Sequence, residues 1–224
     1  MLYPKPKIIC YDFDETLVAM EQVYMDALNI LCEKYHIPLR TKKDMKVINK
    51  SKFTTVLAAL FGEKLEPQIH AEYEFGYSTC SHNLVYPLSG ALEFVQYAYH
   101  NGIYQAIISN KPRHIVLPEV KRLGFAPYMH AIIGAHDGHK KPDKEMFQMA
   151  LDEIKSEYDI GDFVANSNTV WMFGDSASDA TFAKNINAKL FFVDEKRHIP
   201  ADVPEGIIAD FTAFQDIQFE GHKF

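Results

Sequence analysis

Short apolar, often β-branched runs alternate along most of this chain with stretches whose apolar positions recur at helical spacing. That alternation predicts a parallel α/β sheet, a Rossmann-like core with helices on both faces. Strands are expected at residues 7–11, 104–109, 131–134, 170–173 and 189–193, and helices at 113–123, 144–157 and 177–185. Residues 18–86 break the rhythm. Tyr24, Ala27, Leu28 and Leu31 mark one amphipathic face, Phe53, Val56, Leu57, Leu60 and Phe61 a second, and Ile69, Tyr73 and Tyr77 a third. The reading is a small helical domain (18–86) inserted into a core made of 1–17 and 87–224. In open α/β sheets ligands bind at the C-terminal strand ends, so the insertion is expected to lie over those ends. The plainer alternative is extra helices packed on the flank of the sheet.

Composition narrows the partners. The 224 residues suffice for one substantial core and a small appended domain. A hydrophobic share of 47% with 24% charged residues is ordinary for a globular protein. The net charge of −7 and pI near 5.8 leave no basic stripe to track nucleic-acid phosphates. A small phosphate ester still fits, provided a divalent metal and a lysine focus positive potential in one cleft. Cys10, Cys32 and Cys80 are odd in number and lack metal-ligand spacing, which points to reduced thiols. MLYPKPKIIC holds no apolar signal region, and no apolar run approaches the roughly 20 residues that span a bilayer. The expectation is a cytoplasmic protein with no membrane partner; nothing in the sequence sets its oligomeric state.

Chemistry gathers at four strand ends. Asp12-Phe13-Asp14-Glu15-Thr16 places two carboxylates at i and i+2, on one side of an extended backbone. Asp12 is the candidate nucleophile and Asp14 the candidate general acid and base, with Thr16 orienting Asp14 through its hydroxyl. The alternative is an acidic, capping turn. Ser109-Asn110-Lys111-Pro112 offers a hydroxyl and amides to a phosphate, or is an ordinary helix-start turn. Of Lys140-Lys141-Pro142-Asp143, one lysine suits a phosphoryl clamp; a solvated pair is the alternative. Gly174-Asp175-Ser176-Ala177-Ser178-Asp179 sets carboxylate oxygens where Mg²⁺ is well served, although Asp179 also suits a helix N-terminus.

In this order the four segments resemble the motifs of the haloacid dehalogenase-like (HAD) hydrolase superfamily, over about residues 7–193. Leu88-Ser89-Gly90-Ala91-Leu92-Glu93 is similar to that family's return from cap to core, and the insertion to its C1-type cap. Ser109-Asn110-Lys111-Pro112 with Leu123-Gly124-Phe125 looks most like the phosphoglycolate phosphatase-like branch. The resemblance implies Asp12 as nucleophile, Asp14 as acid/base, Thr16 as its support, and Ser109, Asn110 and Lys141 on the phosphoryl group. It further implies Mg²⁺ held by Asp12, the Asp14 carbonyl and Asp175, with Asp179 as a further possible ligand. Glu15 departs from the pattern, since the family often has Gly there.

The implied activity is Mg²⁺-dependent hydrolysis of a small phosphomonoester through an aspartyl-phosphate. A sugar phosphomutase uses the same stations and is the alternative. Dehalogenases of the family lack an acid at the Asp14 position, and a non-catalytic phosphate-binding module is disfavoured by the presence of Asp12 and Asp175. His136-Asp137-Gly138-His139 reads as a surface turn with His139 near the site, although its donors also suit a transition metal. Tyr73, Phe75 and Tyr77 read as packing residues in preference to a substrate lining.

Overall fold

A computed structural model of the chain describes residues 2–41, 60–62, 68–69, 71–72, 85–135, 139–193, 209–211 and 214–220. In chain order the elements are β1 (Leu2–Tyr3), β2 (Ile8–Tyr11), β3 (Val18–Ala19), α1 (Glu21–Lys34), β4 (Tyr86–Pro87), α2 (Ala91–His100) and β5 (Tyr104–Pro112). There follow α3 (Arg113–Arg122), β6 (Ala131–Ala135), α4 (Glu145–Glu157), β7 (Val170–Gly174), α5 (Ala177–Asn185), β8 (Lys189–Phe192), β9 (Ala209–Phe211) and β10 (Gln218–Phe219). Two compact units result: Met1–Val18 with Pro87–Phe224, and Ala19–Tyr86.

Six strands of the larger unit form one parallel sheet in the order β6-β5-β2-β7-β8-β9. The α/β core expected from the sequence is therefore present, with a sixth strand, β9, that was not anticipated. Its three residues, with Asp210 in the middle, are too few to leave a period. β5 also runs on to Pro112, so Ser109 and Lys111 belong to the strand; its register against β6 shifts between Ile108 and Pro112.

β2 is wholly buried because both faces of the sheet are covered, as parallel sheets require. Ile8 and Cys10 join a core cluster with Met146, Ala150 and Ile154 of α4 and Ala180 and Ala183 of α5. On the other parity Tyr11 stacks on Phe173 (5.3 Å between centroids), which meets Phe94 of α2 (5.3 Å) and Phe214 (5.5 Å). That second layer admits polar atoms only with partners. Tyr11 donates its hydroxyl to Gln105 Oε1 at 2.7 Å, and Gln105 Nε2 donates to the Val95 and Tyr128 carbonyls at 3.0 Å.

In the smaller unit, α1 buries Ala27, Leu28, Leu31 and Cys32 against Ile69, with Tyr24, Leu60 and Phe61 at the margin. All but Cys32 are apolar positions marked by the sequence pattern; Phe53, Val56, Leu57, Tyr73, Phe75 and Tyr77 lie outside the described residues. Cys10 and Cys32 are free and buried, burial pushing the Cys10 thiol up to about 12, and Cys80 is outside the described residues. Among the described residues no helix is long and apolar enough to cross a membrane.

Candidate active site

The chain leaves β2 toward β5 and β6 on one side, then returns to build β7, β8 and β9 on the other. Such a reversal opens a crevice at the C-terminal strand ends, where backbone groups stand free to meet a ligand. Tyr11, the last residue of β2, is in register with Ile107 and Phe173. The Asp12 N–H donates to the Phe173 carbonyl at 2.8 Å, extending the ladder by one step and fixing where its side chain begins. Asp12 and Asp175 thus start from adjacent strand ends.

Lys141 reaches this point from the loop after β6. Its ammonium lies 2.7 Å from Asp12 Oδ1 and 2.6 Å from Asp179 Oδ1, with 2% of the side chain exposed. Asp179 is fully buried in the first turn of α5, where it completes a capping box. The Ser176 N–H donates to Asp179 Oδ2 at 3.1 Å, and the Ser176 hydroxyl donates to the same oxygen. Gly174 permits this close approach: a Cβ there would overlap Asp179 Cβ and Cγ.

Carboxylates outnumber cations at this spot. Asp12, Asp175 and Asp179 each present an oxygen within 4.8 Å of the others, facing one ammonium. Burial pushes the Asp12 carboxyl up to about 7, despite the pull of Lys141. Burial, then the charges of Asp12, Asp179 and Glu15, raise Asp175 well above the carboxylate range. Burial works against the charge on Lys141, but Asp12 and Asp179 outweigh it and hold its proton above the ordinary lysine range. Crowded hard oxygen donors with too little positive charge are what a small divalent cation neutralises.

Asp14 goes elsewhere. β2 ends before the second carboxylate, so the two side chains do not share one cation as extended backbone would have them. Asp14 Oδ1 accepts from Lys111 Nζ at 2.7 Å, and the same ammonium donates to Glu119 Oε2 of α3 at 2.6 Å. The Lys111 side chain is 2% exposed and Glu119 is fully buried. Sequence reasoning missed both roles, because Lys111 reads as part of a turn and Glu119 as one acid on a polar helix. Pairing them requires the strand-to-helix geometry. Gly134 allows it, since a Cβ there would overlap the Arg113 backbone and come within 2.8 Å of the Lys111 carbonyl.

Three of the expected site residues make contacts that the sequence did not predict. Thr16, expected to orient Asp14, is fully buried and donates its hydroxyl to Asp175 Oδ1 at 3.2 Å. Asn110, expected on the phosphate, clamps the Lys141 backbone: its Oδ1 accepts from the Lys141 N–H at 2.6 Å, and its Nδ2 donates to the Lys141 carbonyl at 3.3 Å. Asp179, a further possible metal ligand, has one oxygen on Lys141 and the other on its cap. Ser109, expected at the strand end, lies three residues before the end of β5 at Pro112, and its Oγ accepts the Lys111 N–H at 3.1 Å. His139 is turned to solvent against Asp143 at 2.7 Å, and residues 136–138 lie outside the described residues.

Glu15 has φ 57°, left-handed backbone that glycine occupies without strain. Its N–H donates to the Val18 carbonyl at 2.8 Å, closing the turn that carries the chain away from the site.

Residues 9–193 match the haloacid dehalogenase-like hydrolase family. A phosphoglycolate phosphatase of Pseudomonas fluorescens is 27% identical over 82% of this chain and 68% of its own length. Among solved structures, a haloacid dehalogenase-like family hydrolase from Streptococcus pneumoniae superposes with a TM-score of 0.76 at 13% identity, covering 95% of this chain and 96% of that one. A predicted phosphoglycolate phosphatase from Haemophilus somnus gives 0.73 at 17% identity, with the same coverage. With that match spanning all four strand-end stations, this chain belongs to the haloacid dehalogenase-like hydrolase family.

Proposed function

We propose that the protein is a Mg²⁺-dependent phosphatase that hydrolyses a small phosphomonoester through an aspartyl-phosphate. The observation that carries this reading is Asp12 at the end of β2, with Lys141 at 2.7 Å and the oxygens of Asp175 within reach of its own. Asp12 Oδ attacks phosphorus, the ester P–O bond breaks, and the leaving alkoxide takes a proton from Asp14. Water then attacks the phosphorus of the acyl phosphate and gives a proton to Asp14. The P–O bond to Asp12 breaks, returning inorganic phosphate and both carboxyl groups to their starting states.

Lys141 lowers the repulsion between the nucleophile and the phosphoryl oxygens, and Asn110 keeps it there by gripping its backbone. Ser109, near the C-terminal end of β5, is suited to donate to a phosphoryl oxygen. The donor set fits Mg²⁺, which Asp12, Asp175 and the Asp14 carbonyl would hold; when bound it supplies charge neutralisation for the transferring group. The helical unit Ala19–Tyr86 is proposed to act as a C1-type cap that selects the substrate. A small phosphorylated metabolite in the cytoplasm is the proposed partner, in keeping with the acidic charge of −7.

The test is phosphate release from a panel of sugar, glycolate and aryl phosphates with Mg²⁺, for the wild type and Asp12→Asn. The wild type is expected to turn over at least one ester, and the variant to lose about 10³-fold or more. An inert wild type that still binds Mg²⁺ sinks the reading. Conversion of one sugar phosphate into its isomer, with little free phosphate, points to a phosphomutase instead.

A further inference from the structure

Resting on the phosphatase reading, we propose that Lys111, anchored by Glu119, is the positioning residue for Asp14 and sets the carboxyl toward the leaving group. Asp14 lies beyond the end of β2 at Tyr11, where an isolated bridge to Val18 holds its backbone but leaves the carboxyl to be placed by other groups. Its Oδ1 accepts from Lys111 Nζ at 2.7 Å while 19% of its side chain stays exposed, so the carboxyl is both held and accessible.

The ammonium is itself held on two further sides, by Glu119 Oε2 at 2.6 Å and by the Phe13 ring at 5.5 Å to its centroid, while the Lys111 backbone N–H donates to Ser109 Oγ at 3.1 Å. Glu119 is fully buried, and its second oxygen, Oε1, has no hydrogen-bond partner among the described residues. A buried acid half satisfied by one lysine is a poor stabilising device, because well-packed apolar residues serve as well or better. Its value lies in fixing where the ammonium sits. The arrangement repeats that of the nucleophile, where Lys141 stands between Asp12 and the buried Asp179. Each aspartate of the first motif therefore has its own lysine, and each lysine its own buried helix carboxylate.

The experiment compares kcat/KM, which reports the step that expels the leaving group, for two esters. One is p-nitrophenyl phosphate, whose good leaving group needs little help from an acid. The other is whichever alkyl phosphate the wild type turns over fastest. Lys111→Met alone strands the buried Glu119, so Lys111→Met/Glu119→Met is made beside it as the folded variant. The double variant is expected to lose about 10²-fold on the alkyl ester but no more than about threefold on the aryl ester, with Mg²⁺ affinity unchanged. Its crystal structure is expected to show the Asp14 carboxyl displaced. Equal losses on both esters, no loss on either, or an unmoved Asp14 overturns the proposal. Should the wild type hydrolyse neither ester, the phosphatase reading falls, and the Asp14 position in the variant still decides the positioning role.

Discussion

Glu15 sits in a backbone conformation whose cost can be measured. Its φ of 57° places an L side chain in a conformation costing roughly 1 kcal/mol more than glycine would. Glu15→Gly and Glu15→Ala both remove the carboxylate, but only the first relieves the backbone. Glu15→Gly is therefore expected to be the more stable by about 1 kcal/mol in denaturant melts. Equal stabilities would mean that the turn relaxes around an L residue. At this scale the sequence was legible where a residue's own type at a strand end or loop marks it, as with Asp12, Lys141 and Asp175, which the fold brings together. It was silent where the role depends on a partner. Lys111 and Asp14 are 97 positions apart, and Asn110 and Lys141 are 31 apart, so no local pattern announces either contact.

Elements matter here through their ends. Hydrophobic periodicity located five strands and three helices of the core, because buried parallel strands read as apolar runs and flanking helices keep one apolar face. It did not reveal β9, nor that β5 continues through Ser109 to Pro112. Both depend on neighbouring strands supplying hydrogen bonds, which the segment itself does not encode. The β7–α5 junction shows how tightly an end can be specified. Gly174→Ala would press a methyl group onto Asp179, moving the residue that holds Lys141. The expected outcome is destabilisation of about 1–3 kcal/mol and a fall in phosphate release of at least tenfold. Thermal melts and the phosphate assay check both; a variant with wild-type activity would show that α5 can shift without disturbing the lysine.

For the whole molecule the governing fact is stored negative charge at one edge of the sheet. Asp12 titrates near 3.8 when unfolded and near 7 when folded, so the folded chain holds the extra proton between those values. Stability of the metal-free protein is therefore expected to fall as pH rises from about 4 to about 7, Asp175 adding in the same direction. A divalent cation replaces those protons. Saturating Mg²⁺ is thus expected to raise Tm by several degrees at pH 8 and by much less at pH 5, with EDTA reversing the gain. Scanning fluorimetry at the two pH values decides it; equal shifts would place the cation away from Asp12 and Asp175.

The paired lysines also bear on how such an enzyme changes over time. Asp12 is wired to the loop after β6 and to α5, whereas Asp14 is wired to β5 and α3. On the proposed mechanism, substitutions on α3 around Glu119 would retune which leaving groups are expelled while the supports of Asp12 stay untouched. Two aspartates of one short motif would in this sense be separate evolutionary handles, and drift in substrate preference would have a route that spares the proposed covalent step.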